Sequence, residues 1–224
     1  MHVVELVTRG LTSNRCNRCS TEGASLCSSC ATSLQEAPKS SCIVCNTLTL
    51  GGKLCTPCRQ KTKLYSLNAA YRYEGDAEKF LRNYKYDGER DLASPLAVSI
   101  EDIVPPITYD LLIWVPSSPA RVRRRGFDHT KKIGKRLGKS LQIKTIQPIS
   151  RIGHGRQVGS NRATRFEQVQ TQYSIKPHVV PKLKNKHILL VDDVATTGAT
   201  ITYCARLLRN AGAKRVDAVV FARR

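Results

Sequence analysis

The chain has 224 residues, 41% of them hydrophobic and 24% charged, which is enough apolar content for a packed core and excludes a disordered or fibrous chain. Its net charge is +20, and residues 120–187 alone carry 18 Lys/Arg against two acids, Asp128 and Glu167. So concentrated an excess suits a polyanionic or phosphorylated partner, the plain alternative being a solvated basic face.

Residues 1–10 lack the apolar centre and small-residue cleavage site of a signal peptide. The apolar run Leu111-Leu112-Ile113-Trp114-Val115 falls far short of a membrane span. A cytoplasmic chain without membrane insertion is therefore expected, one in which thiols stay reduced and paired cysteines read as metal ligands.

Eight of the nine cysteines form four Cys-x-x-Cys pairs: Cys16/Cys19, Cys27/Cys30, Cys42/Cys45 and Cys55/Cys58. Such a turn aims two thiolates at one ion, and two turns complete a tetrahedral Zn²⁺ shell, so the eight ligands suit two structural zinc ions. Consecutive four-cysteine sites fit the short spacers, while spacing alone does not rule out a crossed arrangement of first pair with third. A redox dithiol or an iron–sulfur cluster fits the pattern less well. Because the segment has few large apolar residues, metal is expected to supply most of its folding free energy. Cys204 stands apart and reads as a small core residue. The expected organisation is a zinc-binding module over residues 1–63 and an α/β domain over 64–224, divided into a lead-in (64–106) and a core (107–224).

Residues 59–63 are a basic linker. Residues 69–73 alternate like a short strand, and Ala77, Phe80, Leu81 and Tyr84 share one helix face within 77–86. A second helix is expected over 92–103, stopped by Pro105-Pro106. The apolar run 109–115 reads as a buried parallel strand emptying into a loop at Pro116. A basic helix over 127–141, a short strand over 143–149 and a long loop over 151–165 follow. A strand (187–191), a helix (198–210) and a last strand (215–221) complete a parallel sheet with flanking helices.

The chemistry concentrates in Val191-Asp192-Asp193-Val194-Ala195-Thr196-Thr197-Gly198-Ala199-Thr200. A hydrophobic strand delivers Asp192 and Asp193 at its carboxyl end, where open α/β sheets place their ligands. The following turn, Ala195 to Thr200, opens a helix with backbone N–H groups and threonine hydroxyls that can cradle a phosphate dianion. Gly198 is expected to admit close backbone approach. Carboxylates repel phosphate but accept hydrogen bonds from vicinal hydroxyls, so Asp192 and Asp193 suit a ribose. Together these features describe a grip for a ribose 5-phosphate. No Gly-Lys-Ser/Thr closes the loop, so it is not of the Walker type.

The sequence resembles the type I phosphoribosyltransferases and, more narrowly, the ComF family of competence-associated proteins. The resemblance spans nearly the whole chain. It rests on the four cysteine pairs, Tyr71-Arg72-Tyr73 with Lys85-Tyr86-Asp87-Gly88, the Val115-Pro116…Arg125-Gly126-Phe127 segment and the acidic-pair motif. It implies that Asp192 and Asp193 hold ribose hydroxyls and that residues 195–200 bind the 5′-phosphate. It also implies that Pro116, Ser117 and Ser118 hold the pyrophosphate of phosphoribosyl diphosphate, with Mg²⁺ bridging pyrophosphate and ribose. Arg121, Arg124 and Arg125 follow that loop, and Arg156, Gln157, Arg162 and Arg165 stand where relatives carry a flexible closing loop. Relatives' nucleobase hood corresponds to residues 65–103, in which no base-reading pattern stands out. Two departures fall near the diphosphate side. Many relatives read Gly-Phe-Asn-Gln where this chain has Gly126-Phe127-Asp128-His129, and the usual Arg-x-x-Asn is missing after Arg165.

Two functions remain open. In one, the protein is a phosphoribosyltransferase acting in DNA uptake during natural transformation. In the other, it is a non-enzymatic module that keeps the grip while binding single-stranded DNA or docking a competence helicase or uptake protein. Tyr71, Tyr73, Tyr84 and Tyr86 then stack on bases, or simply fill the core. His129 and His154 read as surface residues beside arginines.

Overall fold

The computed structural model describes residues 15–16, 18–24, 26–38, 40–86, 92–151 and 172–224. Four parallel strands form the main sheet in the order β1 (Ser66–Arg72), β6 (Arg215–Arg223), β5 (His187–Ala195), β2 (Leu111–Trp114). The two inner strands are apolar along almost their whole length: Ile188 to Val191 of β5 and Val216 to Ala222 of β6 are buried, as parallel strands covered on both faces require. Parallel register pairs Trp114 with Val191, and Val191 with Val219. The carboxyl ends of β2 and β5 therefore lie side by side.

Helices cover both faces. On one, α3 (Gly75–Tyr86), α4 (Ala93–Glu101) and α6 (His129–Ser140) bury Phe80, Leu81, Leu96, Ile100, Ile133 and Leu137 against Leu112, Leu189, Val191 and Val219. The other face receives α7 (Ala199–Asn210), whose Ile201, Cys204, Ala205 and Leu208 pack on Ile188, Leu190, Val216 and Ala218. Chain leaving β2 enters the α6 face, whereas chain leaving β5 enters the α7 face. This divergence marks the carboxyl edge between β2 and β5 as the switch point of the sheet, the place where such sheets form a ligand crevice.

The cysteine segment straddles the β1 edge. Cys16, Leu26, Cys30 and Leu34 join the core on the α3 face, while Cys42, Leu54 and Cys58 join the core under α7. Backbone bonds from Ala37 N to Ala70 O (3.0 Å), Arg72 N to Gln35 O (2.9 Å) and Leu67 N to Gly52 O (3.0 Å) occupy groups that an edge strand would otherwise expose. Two short helices, α1 (Ser28–Thr32) and α2 (Thr56–Thr62), carry the second member of the second and fourth cysteine pairs. At the amino-terminal edge, buried Asp217 accepts from the Ser66 hydroxyl and from Arg215 Nε (2.6 Å) and Nη2 (3.1 Å), joining β1 to β6.

The expected strand over 143–149 is not continuous. Only Thr145 bridges β2, through Leu112 N to Lys144 O (2.9 Å) and Ile146 N to Leu112 O (3.2 Å). Pro148 has no N–H to extend that ladder, and the chain instead pairs β3 (Ile149–Arg151) antiparallel with β4 (Tyr173–Ile175). The expected long loop lies, beyond Arg151, outside the described residues.

Candidate functional site

Strand β5 runs further than the apolar pattern alone indicates and carries both acids before ending at Ala195. Alternation along the strand sends them to opposite faces. Asp193, only 4% exposed, points to the α3 and α6 side, where its Oδ2 pairs with the Lys85 ammonium and lies 3.0 Å from His129 Nε2. Asp192 is half-buried toward α7, and its Oδ1 accepts the Asp193 N–H at 2.9 Å. Burial first, and then the charge of Asp193, pushes the Asp192 carboxyl well above the ordinary carboxylate range. Burial pushes Asp193 upward too, but Lys85 and His129 overcome it and hold that carboxyl well below the range. One acid of the pair is firmly ionised; the other takes up a proton readily.

After Ala195 the chain turns through Thr196 and Thr197 to Gly198, which caps α7 in the left-handed region at φ 70°. A Cβ at Gly198 would meet nothing within 4 Å, so the backbone conformation, rather than crowding by the protein, requires glycine there. The Thr197 hydroxyl accepts the Ala199 N–H at 3.4 Å, and Thr196 is exposed. A helix N-terminus flanked by hydroxyls is thus presented at the crevice, suited to an anion.

Across the crevice, Val115 N donates to Val191 O (2.9 Å), fixing the β2 loop beside β5. Pro116, Ser117 and Ser118 are half-buried, and Ser118 caps α5 (Pro119–Arg125) by accepting from Arg121 N. This short helix was not anticipated. It turns Arg121, Arg124 and Arg125 into one ridge beside the loop. The Arg124 and Arg125 guanidiniums lie 5.4 Å and 4.7 Å from the Tyr86 ring centre, and Arg125 Nη2 donates to the Tyr86 hydroxyl at 3.0 Å.

The expectation that His129 is a surface residue is overturned. It is 6% exposed, with Nδ1 3.0 Å from Ser117 Oγ and Nε2 3.0 Å from Asp193 Oδ2, because the helix begun by the Asp128 cap drives its first residue into the space between β2 and β5. Lys85 was noted only as part of a motif, and its partnership with Asp193 was missed. The four tyrosines divide: Tyr84 is fully buried with its hydroxyl on His129 O (2.7 Å), and Tyr71 packs edge-on to Phe221. Tyr73 is half-buried, and Tyr86 is 53% exposed. His154, Arg156, Gln157, Arg162 and Arg165 lie outside the described residues. Cys204 is buried under the sheet, as expected for a core residue.

The cysteines gather as consecutive pairs: Cys16, Cys19, Cys27 and Cys30 in one set, Cys42, Cys45, Cys55 and Cys58 in the other, with the sulfurs of each set within 4.8 Å of one another. Cys19 to Cys27 is 3.7 Å and Cys45 to Cys55 is 3.5 Å. A tetrahedral Zn²⁺ with bonds of about 2.3 Å places its sulfurs about 3.8 Å apart, so each set can hold one zinc ion, and the crossed arrangement is not adopted. The hydroxyls of Ser29 and Thr47, 3.3 Å and 3.2 Å from Cys27 and Cys45 Sγ, draw those thiols down to about 6, toward the thiolate that a metal requires.

The family model for the phosphoribosyl transferase domain matches residues 124–224, which contain β5, the acidic pair and the α7 turn. The chain is 28% identical over 197 residues to competence protein ComFC of Streptococcus pneumoniae, covering 85% of this chain and 84% of the relative. It is 22% identical over 197 residues to competence protein ComFC of Bacillus subtilis, covering 84% and 79%. DNA utilization protein YhgH of Shigella flexneri is 32% identical over 119 residues, covering 48% of this chain and 47% of the relative. Among solved structures, glutamine phosphoribosylpyrophosphate amidotransferase of B. subtilis matches 62% of this chain and 30% of its own at 19% identity, with a TM-score of 0.43. The sheet and the family match define a phosphoribosyltransferase-like α/β protein carrying two four-cysteine clusters. Within that class, the chain is similar to both ComFC proteins over most of its length and to YhgH over about half of it.

Proposed function

We propose that the crevice between the carboxyl ends of β2 and β5 binds phosphoribosyl diphosphate, or a ribose 5-phosphate moiety of a nucleotide, together with Mg²⁺. The observation that carries this reading is the placement of Asp192 and Asp193 directly before the Thr196-Thr197-Gly198 turn and beside the Pro116–Ser118 loop. Asp192 accepts the ribose hydroxyls, with Asp193 behind it held by Lys85 and His129 and offering only its remaining oxygen to them, while residues 195–200 cradle the 5′-phosphate with backbone N–H groups and hydroxyls. Pro116, Ser117 and Ser118 face the diphosphate, and Arg121, Arg124 and Arg125 offset its charge. The Asp192 carboxylate offers the hard oxygen ligand that Mg²⁺ takes. Bound there, the ion supplies charge neutralisation between ribose and diphosphate.

Departure of pyrophosphate from the anomeric carbon needs positioned cations rather than a covalent nucleophile, and this chain provides such cations on α5. The names of the relatives, competence protein and DNA utilization protein, support a part in DNA uptake or use. A second reading rests on the 18 Lys/Arg of residues 120–187 and the Arg124–Tyr86–Arg125 cluster: a single-stranded-DNA-binding module that retains the grip.

Calorimetric titration of phosphoribosyl diphosphate with Mg²⁺ into zinc-loaded protein tests the first reading. Saturable binding that weakens about 100-fold in the Asp192→Asn/Asp193→Asn variant is expected, since hydrogen bonds to charged groups contribute about 1.5–3 kcal/mol each. No binding by the folded parent, alongside salt-dependent binding of single-stranded DNA, would replace it with the second.

A further inference from the structure

His129 is the first residue of α6, and its imidazole meets a partner at each end. Nε2 lies 3.0 Å from Asp193 Oδ2, while Nδ1 lies 3.0 Å from Ser117 Oγ and 3.0 Å from Arg125 Nη1. A guanidinium can only donate, so Nδ1 faces a donor in Arg125, while Nε2 lies within ion-pair distance of Asp193. The His129 backbone is fixed as well: the Tyr84 hydroxyl donates to His129 O at 2.7 Å, and the Thr130 hydroxyl donates to Val115 O at 2.7 Å. Ser117 Oγ is also 3.0 Å from Asp128 Oδ1, so the residues either side of the α6 start both reach the β2 loop.

Through its ring, His129 joins the loop after β2 to the acid at the end of β5. Lys85 shares Asp193 Oδ2 but comes from α3 and has no bond to the loop among those described. We propose that His129 is a positioning residue which holds the Pro116–Ser118 loop and Asp193 in a fixed relation, so that the diphosphate end and the ribose end of the site are set by one imidazole. This rests on the phosphoribosyl diphosphate reading above. His129 touches no reacting atom in this account; it acts through Ser117, Arg125 and Asp193. Without it, loop and acid keep their separate supports, Val115–Val191 for one and Lys85 for the other, but lose their mutual register.

The test uses three probes with zinc-loaded full chain: phosphoribosyl diphosphate, ribose 5-phosphate and inorganic pyrophosphate, each with Mg²⁺. For His129→Leu the expected result is an affinity for phosphoribosyl diphosphate lower by about 10-fold or more, the size of coupling found between groups in one network. The two half-ligands should change by less than about threefold, because each half of the site stays intact. His129→Gln keeps one donor and one acceptor and should restore most of the affinity for the whole ligand. Ser117→Ala leaves the ring in place and removes the loop's bonds to both His129 and Asp128, so it should also lower the affinity for phosphoribosyl diphosphate; because Ser117 itself faces the diphosphate, the comparison with the half-ligands is read on His129→Leu. An affinity for the whole ligand within threefold of the parent in both His129→Leu and Ser117→Ala would overturn the proposal. So would an equal fall for all three probes, which marks a residue that merely keeps the site folded. Absence of phosphoribosyl diphosphate binding by the parent would instead overturn the underlying reading, and the proposal with it.

Discussion

Alternate side chains of a β-strand face opposite ways, so Asp192 and Asp193 meet different surroundings although they are neighbours in sequence. Asp193 is ionised by virtue of Lys85 and His129, and its folded-state affinity for protons is below that of the unfolded chain. Its contribution to stability is present above the unfolded value of about 3.9 and is lost as pH falls through the lower folded value. Asp192 is the reverse. Its folded value is raised, so its contribution is present below the unfolded value and is lost as pH rises through the folded one. At pH 7 and without ligand, Asp193→Asn should therefore lower the thermal midpoint, since breaking a buried ion pair costs about 3–5 kcal/mol. Asp192→Asn should raise it. Differential scanning fluorimetry at pH 7 checks both, and two shifts of the same sign would contradict this division of the pair. The acids themselves were legible, because a strand followed by Thr-Thr-Gly declares where they sit. Lys85 and His129 were not legible, because their bonds to Asp193 cross distances in sequence that no local pattern spans.

Element positions were read well wherever burial imposes a period. Ala77, Phe80, Leu81 and Tyr84 formed the buried face of α3, and Leu111 to Trp114 the buried strand β2. Short elements escaped: α5, β3 and β4 have seven, three and three residues, too few for a period to show. The seam between α6 and β2 shows what else local pattern hides. Gly134 and Gly138 share the buried face of α6, and a Cβ on Gly134 would sit 3.2 Å from Trp114 Cβ. At Gly138 it would sit 2.3 Å from Thr145 Cγ2 and 3.1 Å from Ile143 O, a backbone atom that cannot turn aside. Gly138→Ala should thus destabilise by about 1–3 kcal/mol through overpacking, despite the better helix propensity of alanine. Denaturant titration measures this, and a variant as stable as the parent would show that α6 has room to move off β2. Because α6 begins at His129, a shift of the helix would also loosen the candidate site.

At the scale of the whole molecule, the two cysteine clusters lie on opposite faces of the sheet and share its two cores. The expectation that the segment has few apolar residues of its own fits this arrangement, since Leu26, Leu34 and Leu54 are buried together with residues of the α/β layer. Elemental analysis should find two zinc ions per chain, and their removal by chelator should expose the backbone groups of β1 as well as unfold the knuckles. Hydrogen exchange that accelerates only in residues 15–58, with β1 still protected, would show the layers to be independent. No helix among the described residues is long and apolar enough to cross a membrane.

Hydrogen exchange with and without phosphoribosyl diphosphate and Mg²⁺ tests whether the proposed ligand sits at the carboxyl edge between β2 and β5. Protection confined to residues 115–118 and 195–200 is the predicted result. Protection centred on the cysteine clusters or on the far edge around Asp217, with those two loops unchanged, would contradict it.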